Sequence, residues 1–224
     1  MTPEAHDVAV PLMPTWPFRR SVRTAGNALR DYVLAPFVKH WITLTVEGAE
    51  HLDQVTTPSL FIFNHSDDLD GPVSFAALPR RIRRRLSVAV GADILDDHHG
   101  LAFFIRLSYA AFAFERRNPS RRSLEYLREV IDSGWHVLLS PEGRLSTTGD
   151  LLDFKAGVGL LAVKLGVPVV PMRIVGLSGT VPMHAWWPKR HSDVTVRIGE
   201  PLRFGPDEKY RAATRALREA VESL

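Results

Sequence analysis

Apolar positions along this chain follow two rhythms. Between Phe18 and Lys39 they recur near helical spacing, at Val22, Ala25, Leu29, Val33, Leu34 and Phe37, with arginines between them. The pattern predicts an amphipathic helix that either packs on the rest of the chain or lies at a membrane surface, with Trp16 and Phe18 as interfacial anchors. Trp41 to Glu47 then alternates with period two and reads as a strand ended by Gly48. Short apolar runs at Ser59–Phe63, Leu86–Val90, Ala110–Phe114, His136–Leu139, Val167–Val175 and Val194–Ile198 read as further, mostly buried strands. Helical stretches fall between them, at Gly71–Leu78, Gly100–Leu107, Ser120–Ile131 and Gly157–Leu165, with a C-terminal helix over Asp207–Ser223. Gly134 and Gly166 stand where two of these helices must stop. Strands alternating with helices predict a single α/β domain over 41–224 with a largely parallel, mixed sheet flanked by helices, preceded by an N-terminal segment (1–40) carrying the amphipathic helix.

Composition narrows the classes. At 224 residues and 45% hydrophobic content the chain can bury a sizeable core. It has no cysteine, hence no disulfide, thiolate metal site or cysteine nucleophile. No apolar run reaches bilayer length; the nearest, Leu101 to Phe114, is short and holds Arg106. Met1 to Pro17 carries Glu4 and Asp7 and lacks a basic region followed by an apolar one, so no secretory signal is expected. The expectation is a cytoplasmic protein, soluble or peripheral at a membrane surface.

The net charge is only +3, yet arginines cluster at Arg19, Arg20 and Arg23, at Arg80, Arg81, Arg83, Arg84 and Arg85, and at Arg116, Arg117, Arg121 and Arg122. Such groups favour phosphates or anionic headgroups. Zinc-finger spacing and aromatic-rich RNA-binding motifs are missing, so nucleic acid is not an expected partner.

The chemistry centres on Asn64-His65-Ser66-Asp67-Asp68-Leu69-Asp70, directly after the run Leu60-Phe61-Ile62-Phe63. A histidine at the mouth of a buried strand, with an aspartate five positions on, has the parts of a general base and its orienting carboxylate. The bland alternative is an acidic loop with a solvated histidine. A second block, Ser140-Pro141-Glu142-Gly143-Arg144-Leu145-Ser146, also follows a predicted strand. Glu142 can accept from a hydroxyl, Gly143 lets backbone approach closely, and Arg144 offers a fork for an anion. Downstream, Phe154-Lys155-Ala156-Gly157-Val158-Gly159 runs into a helix whose backbone N–H groups can face an anion. The glycines fit no dinucleotide or Walker pattern. Two other readings stay open on the residues alone. One is a metal-dependent hydrolase using His65, Asp67, Asp68 and Asp70 with Asp96, Asp97, His98 and His99, although no His-x-His or helix-borne His-x-x-x-His occurs. The other is a non-catalytic lipid-surface module built on the basic N-terminal helix.

Taken in order, Asn64-His65 … Asp70, Phe114-Glu115-Arg116, Pro141-Glu142-Gly143 … Ser146, Phe154-Lys155-x-Gly157 and Val167-Pro168-Val169-Val170-Pro171 resemble the glycerolipid (lysophospholipid) acyltransferase family, typified by 1-acylglycerol-3-phosphate acyltransferases. The match runs from about Val46 to the Ile198-Gly199-Glu200-Pro201 turn. The resemblance implies a glycerol-3-phosphate acyltransferase-like fold. It implies transfer of a fatty acyl group from a thioester donor, acyl-CoA or acyl-carrier protein, to a hydroxyl of a lysophospholipid acceptor, 1-acylglycerol-3-phosphate above all. His65 matches the family's general base and Asp70 its partner. Arg116, Glu142, Gly143, Arg144, Ser146 and Lys155 fall on the substrate-binding blocks. Neither metal nor cofactor is implied, and the place of work is peripheral, at the inner face of a membrane. The chain departs from the usual Phe-Pro-Glu-Gly-Thr-Arg-Ser block: Ser140 replaces Phe, Arg144 stands at the Thr position and Leu145 at the Arg position. In the second block Ala113 stands at the usual Phe position while Arg116 keeps the arginine.

Overall fold

The computed structural model describes residues 15–92, 95, 99–114, 121–181, 188 and 191–224. Among these, seven strands form one sheet: β1 (Ile42–Glu47), β2 (Leu60–Phe63), β3 (Leu86–Gly91), β4 (Phe112–Phe114), β5 (His136–Leu139), β6 (Val169–Val175) and β7 (Ser192–Ile198), in spatial order β1-β7-β6-β2-β5-β3-β4. All neighbours are parallel except β6 and β7. Helices α1 (Arg20–Leu29), α2 (Ala35–Trp41), α3 (Asp70–Ala77), α4 (Arg80–Arg83), α5 (His99–Tyr109), α6 (Arg121–Asp132), α7 (Gly157–Leu165) and α8 (Tyr210–Glu222) flank it. The mixed α/β architecture expected from the alternating pattern is the one observed.

Strand β2 lies at the centre, between β5 and β6. Its four side chains are all buried, which is why its sequence is continuously apolar rather than alternating. Phe61 and Phe63 join Val38, Ile42, Val73 and Phe75 on the face carrying α2 and α3. Leu60 and Ile62 join Leu127, Leu161, Leu217 and Val221 beneath α6, α7 and α8. Burying each such side chain contributes roughly 1.5–3 kcal/mol, so the strand that carries the site is also the best anchored.

The predicted N-terminal helix differs in one respect. It runs from Arg20 to Trp41 but widens into a π turn over Arg30–Leu34. Pro36 supplies the cause: it has no N–H for the Tyr32 carbonyl and its ring crowds that turn. The widened turn buries Arg30, which donates to the carbonyls of Ser108 (2.9 Å) and Arg83 (3.2 Å), hydrogen-bonds the Asn27 side chain and lies 4.9 Å over the Phe75 ring. Burial lowers its pKa to about 10, so it keeps its charge at neutral pH. Its neighbour Asp31 accepts from Arg80 and Arg83. The helix is thereby fixed to the domain.

Strand β4 starts at Phe112 rather than at Ala110, because α5 continues to Tyr109 and Ala110 takes a left-handed turn (φ 48°) to end it. The Ser87 hydroxyl donates to the freed Ala110 carbonyl.

Candidate active site

The carboxyl ends of β2 and β5 lie side by side, in register Leu60↔Val137 to Ile62↔Leu139. The two sequence blocks, seventy-odd residues apart in the chain, therefore leave the sheet together, where open α/β sheets keep their ligand crevices. Asn64 makes the exit. Its side-chain amide donates to the Ile174 carbonyl (3.0 Å) and accepts from the Ile174 N–H (2.7 Å), continuing the pairing with β6 after the backbone has turned away.

His65 is held on both sides by the second block. Its N–H donates to Glu142 Oε1 (3.1 Å) and its carbonyl accepts from the Ser146 N–H (2.7 Å). Its Nδ1 lies 2.9 Å from Asp70 Oδ2. Asp70 is the first residue of α3 and fully buried. The same Oδ2 accepts from the N–H groups of Ser66 (2.6 Å) and Asp67 (2.9 Å), and Oδ1 stands 3.5 Å from the Ser66 hydroxyl. With Nδ1–H donated to this carboxylate, neutral His65 carries its lone pair on Nε2. The side chain is 23% exposed, so that nitrogen is reachable.

Asp67 and Glu142 are buried carboxylates that hold backbone. Asp67 accepts from Leu69 N–H (3.1 Å), an Asx turn, and from Val181 N–H (3.0 Å), tying the segment after β6 to the loop that carries His65. Burial raises the pKa of both groups, opposed at Asp67 by Val181 and Leu69 and at Glu142 by the N–H groups of His65 and Leu152.

A cavity of about 1170 Å³ opens beside His65. Gly143, in a left-handed turn (φ 68°), Ser146 and the exposed Lys155 line its polar end. Leu34, Phe37 and Val38 of the N-terminal helix, Val88 and Val90 of β3, and Ile105 and Tyr109 of α5 line the apolar part. The combination is an imidazole backed by a carboxylate beside a cavity with both polar and apolar lining, suited to a ligand with a hydroxyl, a charged end and an aliphatic tail.

The structure brings together His65, Asp70, Glu142, Gly143, Ser146 and Lys155. Glu142 sits behind His65 and holds its backbone, and does not line the cavity. Arg144 is exposed and also lies off the cavity wall. Arg116 falls outside the described residues, as do Asp96, Asp97 and His98. His65, Asp67 and Asp70 are committed to one another's loop rather than gathered round a common point, and among the described residues no group of three or more His, Asp or Glu is placed to hold a metal ion. Sequence reasoning assigned no role to Asn64, and to Asp67 only that of a metal ligand in the hydrolase reading. The Asx pattern at Asp67 was the one local signal available; nothing local announces the pairing of Asn64 with Ile174.

A family model described as Acyltransferase matches residues 43–175. Curated relatives include 1-acyl-sn-glycerol-3-phosphate acyltransferases from Chlamydomonas reinhardtii (28% identical, 84% of this chain and 54% of the relative) and Brassica napus (BAT2, chloroplastic; 27%, 70% and 44%). The chain thus spans about half the length of the curated relatives it matches. Among solved structures, the 1-acyl-sn-glycerophosphate acyltransferase PlsC from Thermotoga maritima shares the fold, with a TM-score of 0.60 at 24% identity over 87% of this chain and 81% of that one.

Proposed function

The chain belongs to the acyltransferase family, and from that premise we propose that it moves a fatty acyl group from a thioester of CoA or acyl-carrier protein to the free hydroxyl of a lysophospholipid, with 1-acylglycerol-3-phosphate as the first acceptor to test because its relatives carry that name. The observation that carries the reading is the His65–Asp70 pair at 2.9 Å on the wall of a large, mostly apolar cavity. His65 Nε2 takes the hydroxyl proton as the oxygen attacks the thioester carbonyl. Asp70 stabilises the imidazolium so formed. Collapse of the tetrahedral intermediate breaks the C–S bond, and the thiolate recovers the proton from Nε2. Protein, ester and free thiol result, with no acyl-enzyme.

Lys155, exposed and on the cavity wall, is the first choice to meet the acceptor's phosphate, ahead of Arg144, which lies off that wall. The acyl chain occupies the apolar part of the cavity. Phe103 and Phe104 are 57% and 39% exposed, Trp16 stacks on Phe103, and Phe104 and its neighbour Leu101 also line the cavity, so an exposed apolar surface adjoins it. Among the described residues no helix is long and apolar enough to cross a membrane. Peripheral seating of this surface on a bilayer, flanked by Arg19, Arg20 and Lys39, lets the lipid acceptor enter without crossing water.

Purified protein incubated with acyl-CoA and lysophosphatidate is expected to release free CoA and form a diacyl product. His65→Ala is expected to lose at least 10²-fold, the lower end of general-base contributions. Wild-type activity in His65→Ala, or no acyl transfer to any lysophospholipid in a panel, refutes the proposal.

A further inference from the structure

Acyl transfer makes no use of the arginine run from Arg80 to Arg85, and the structure divides it. Arg80 and Arg83 pair with Asp31. Arg81 is held in place by the carbonyls of Leu52 (2.8 Å) and Val55 (3.4 Å) and by Asp53 (3.1 Å), whose carboxylate faces solvent. Arg85, one residue before β3, lies across the turn that leads into β5. A Cβ on Gly134 would stand 2.9 Å from its Nη1, and the turn itself (φ 84°) suits glycine. None of the hydrogen bonds and ion pairs among the described residues engages the Arg85 side chain.

Arg81 and Arg85 line a second cavity, of about 340 Å³, together with His136, Thr56 and Thr57. His136 opens β5, and its Nδ1 accepts from the Ser59 N–H (3.2 Å). Burial, helped by Arg81, lowers its pKa to about 4, so the ring is neutral at ordinary pH and its proton rides on Nε2. The cavity therefore offers two guanidinium groups, a neutral imidazole N–H and two hydroxyls. No carboxylate lines it; Asp53 pairs with Arg81 at the exposed rim. It sits at the amino ends of β2, β5 and β3, one strand length, roughly 13–20 Å, from the cavity beside His65.

We propose that this second cavity is a binding site for a phosphate group, either inorganic phosphate or the phosphate of a small monoester. The Arg85 fork matches the charge and oxygen geometry of a phosphate, and Arg81, whose Nη2 hydrogens are taken by Leu52 and Asp53, adds positive charge and its remaining N–H groups. The volume is at the small end of ligand sites and admits a phosphate with the first atoms of whatever carries it. Ordering a site for such a group explains why Arg81 is fixed by backbone carbonyls, why Gly134 leaves room for Arg85, and why a histidine stands where the strand begins.

The test compares sodium phosphate, AMP and sodium chloride at matched ionic strength on the full chain, read by thermal melting and by the His136 ring resonance, assigned with His136→Asn. Phosphate at a hundredfold over half-saturation is expected to raise Tm by roughly 5–10 °C and to move the His136 titration upward by a unit or more. Arg85→Gln, an exposed position, is expected to lose both responses, while Lys155→Gln keeps them. Saturation at lower concentration with AMP than with phosphate assigns a monoester as the occupant, and the reverse assigns free phosphate; either supports the site. A response no larger than that to chloride, an undiminished one in Arg85→Gln, or one abolished by Lys155→Gln overturns it.

Discussion

Replacing Asp70 by asparagine separates the charge of the dyad from its geometry. Oδ2 of Asp70 receives three donors, from His65 Nδ1 at 2.9 Å, Ser66 N at 2.6 Å and Asp67 N at 2.9 Å. An asparagine must put its amide oxygen there, because the turned amide would press its NH₂ against two backbone N–H groups. The NH₂ then takes the Oδ1 position, beside the Ser66 hydroxyl, which can accept from it. The ring keeps its tautomer and Nε2 stays a base; what is lost is the negative charge beside the imidazolium. A charge pair about 4 Å apart at an effective dielectric constant near 20 is worth about 4 kcal/mol, or about 10³ in rate. Where an Asp→Asn change lets the ring adopt the wrong tautomer the loss is nearer 10⁴. Asp70→Asn is therefore expected to lower kcat about 10³-fold in a CoA-release assay at saturating acceptor, with Tm close to that of the parent. Asp70→Ala strips the same two N–H groups of their acceptor, costs about 1–3 kcal/mol for each, and is expected to melt several degrees lower as well as being inactive. Asp70→Asn within tenfold of the parent, or as unstable as Asp70→Ala, refutes the reasoning.

Two further outcomes follow from the other buried titratable groups. Glu142 has a folded-state pKa above its unfolded one, so between the two the folded chain binds more protons and stability falls as pH rises. Glu142→Gln keeps an acceptor for the His65 N–H group and is expected to melt no lower than the parent at neutral pH, whereas Glu142→Leu loses both stability and kcat; a Gln variant less stable than the Leu variant contradicts this. His136 has the opposite sign. Its folded pKa of about 4 lies below the unfolded value of 6.5, so below pH 6.5 the unfolded chain binds the extra proton. Urea denaturation is expected to show about 2–3 kcal/mol of stability lost between pH 7 and 4, and His136→Asn to flatten that fall; an identical slope in the variant would show that another group is responsible.

The fold was readable to the degree that local pattern decides it. Strands β1, β2, β3, β5, β6 and β7 lie within two residues of their apolar runs, because period-two alternation and short buried runs act over a few neighbours. Three of the departures have backbone reasons: Ala110 in the left-handed region, Pro168 without an N–H at the start of β6, Pro36 widening a helix. At the site, the His65–Asp70 spacing was legible because both residues lie on one loop and the opening turn of one helix. The positions of Glu142 and Arg144 were not. They are two residues apart in one turn, yet one side chain enters the protein and the other leaves it, and only the docking of that turn against His65 decides which. The apolar chamber was hidden for a related reason. Its walls come from the N-terminal helix, β3 and α5, which meet only when the chain is folded. Five arginines in six positions looked alike in sequence, although Arg80 and Arg83 pair with Asp31, Arg81 with the Leu52–Val55 segment, and Arg85 faces a cavity.

The π turn at Arg30–Leu34 works as a spacer in the helix register. It absorbs one surplus residue between the half of the helix that packs on α5 and the half that presents Phe37 and Val38 to the chamber. Winding the same residues as an ordinary α-helix would leave that residue unabsorbed and swing the following side chains by about 100°, turning those two away from the lipid-sized space. The width of that space is thus set by a miscount in the winding of a helix that contributes nothing to the dyad itself.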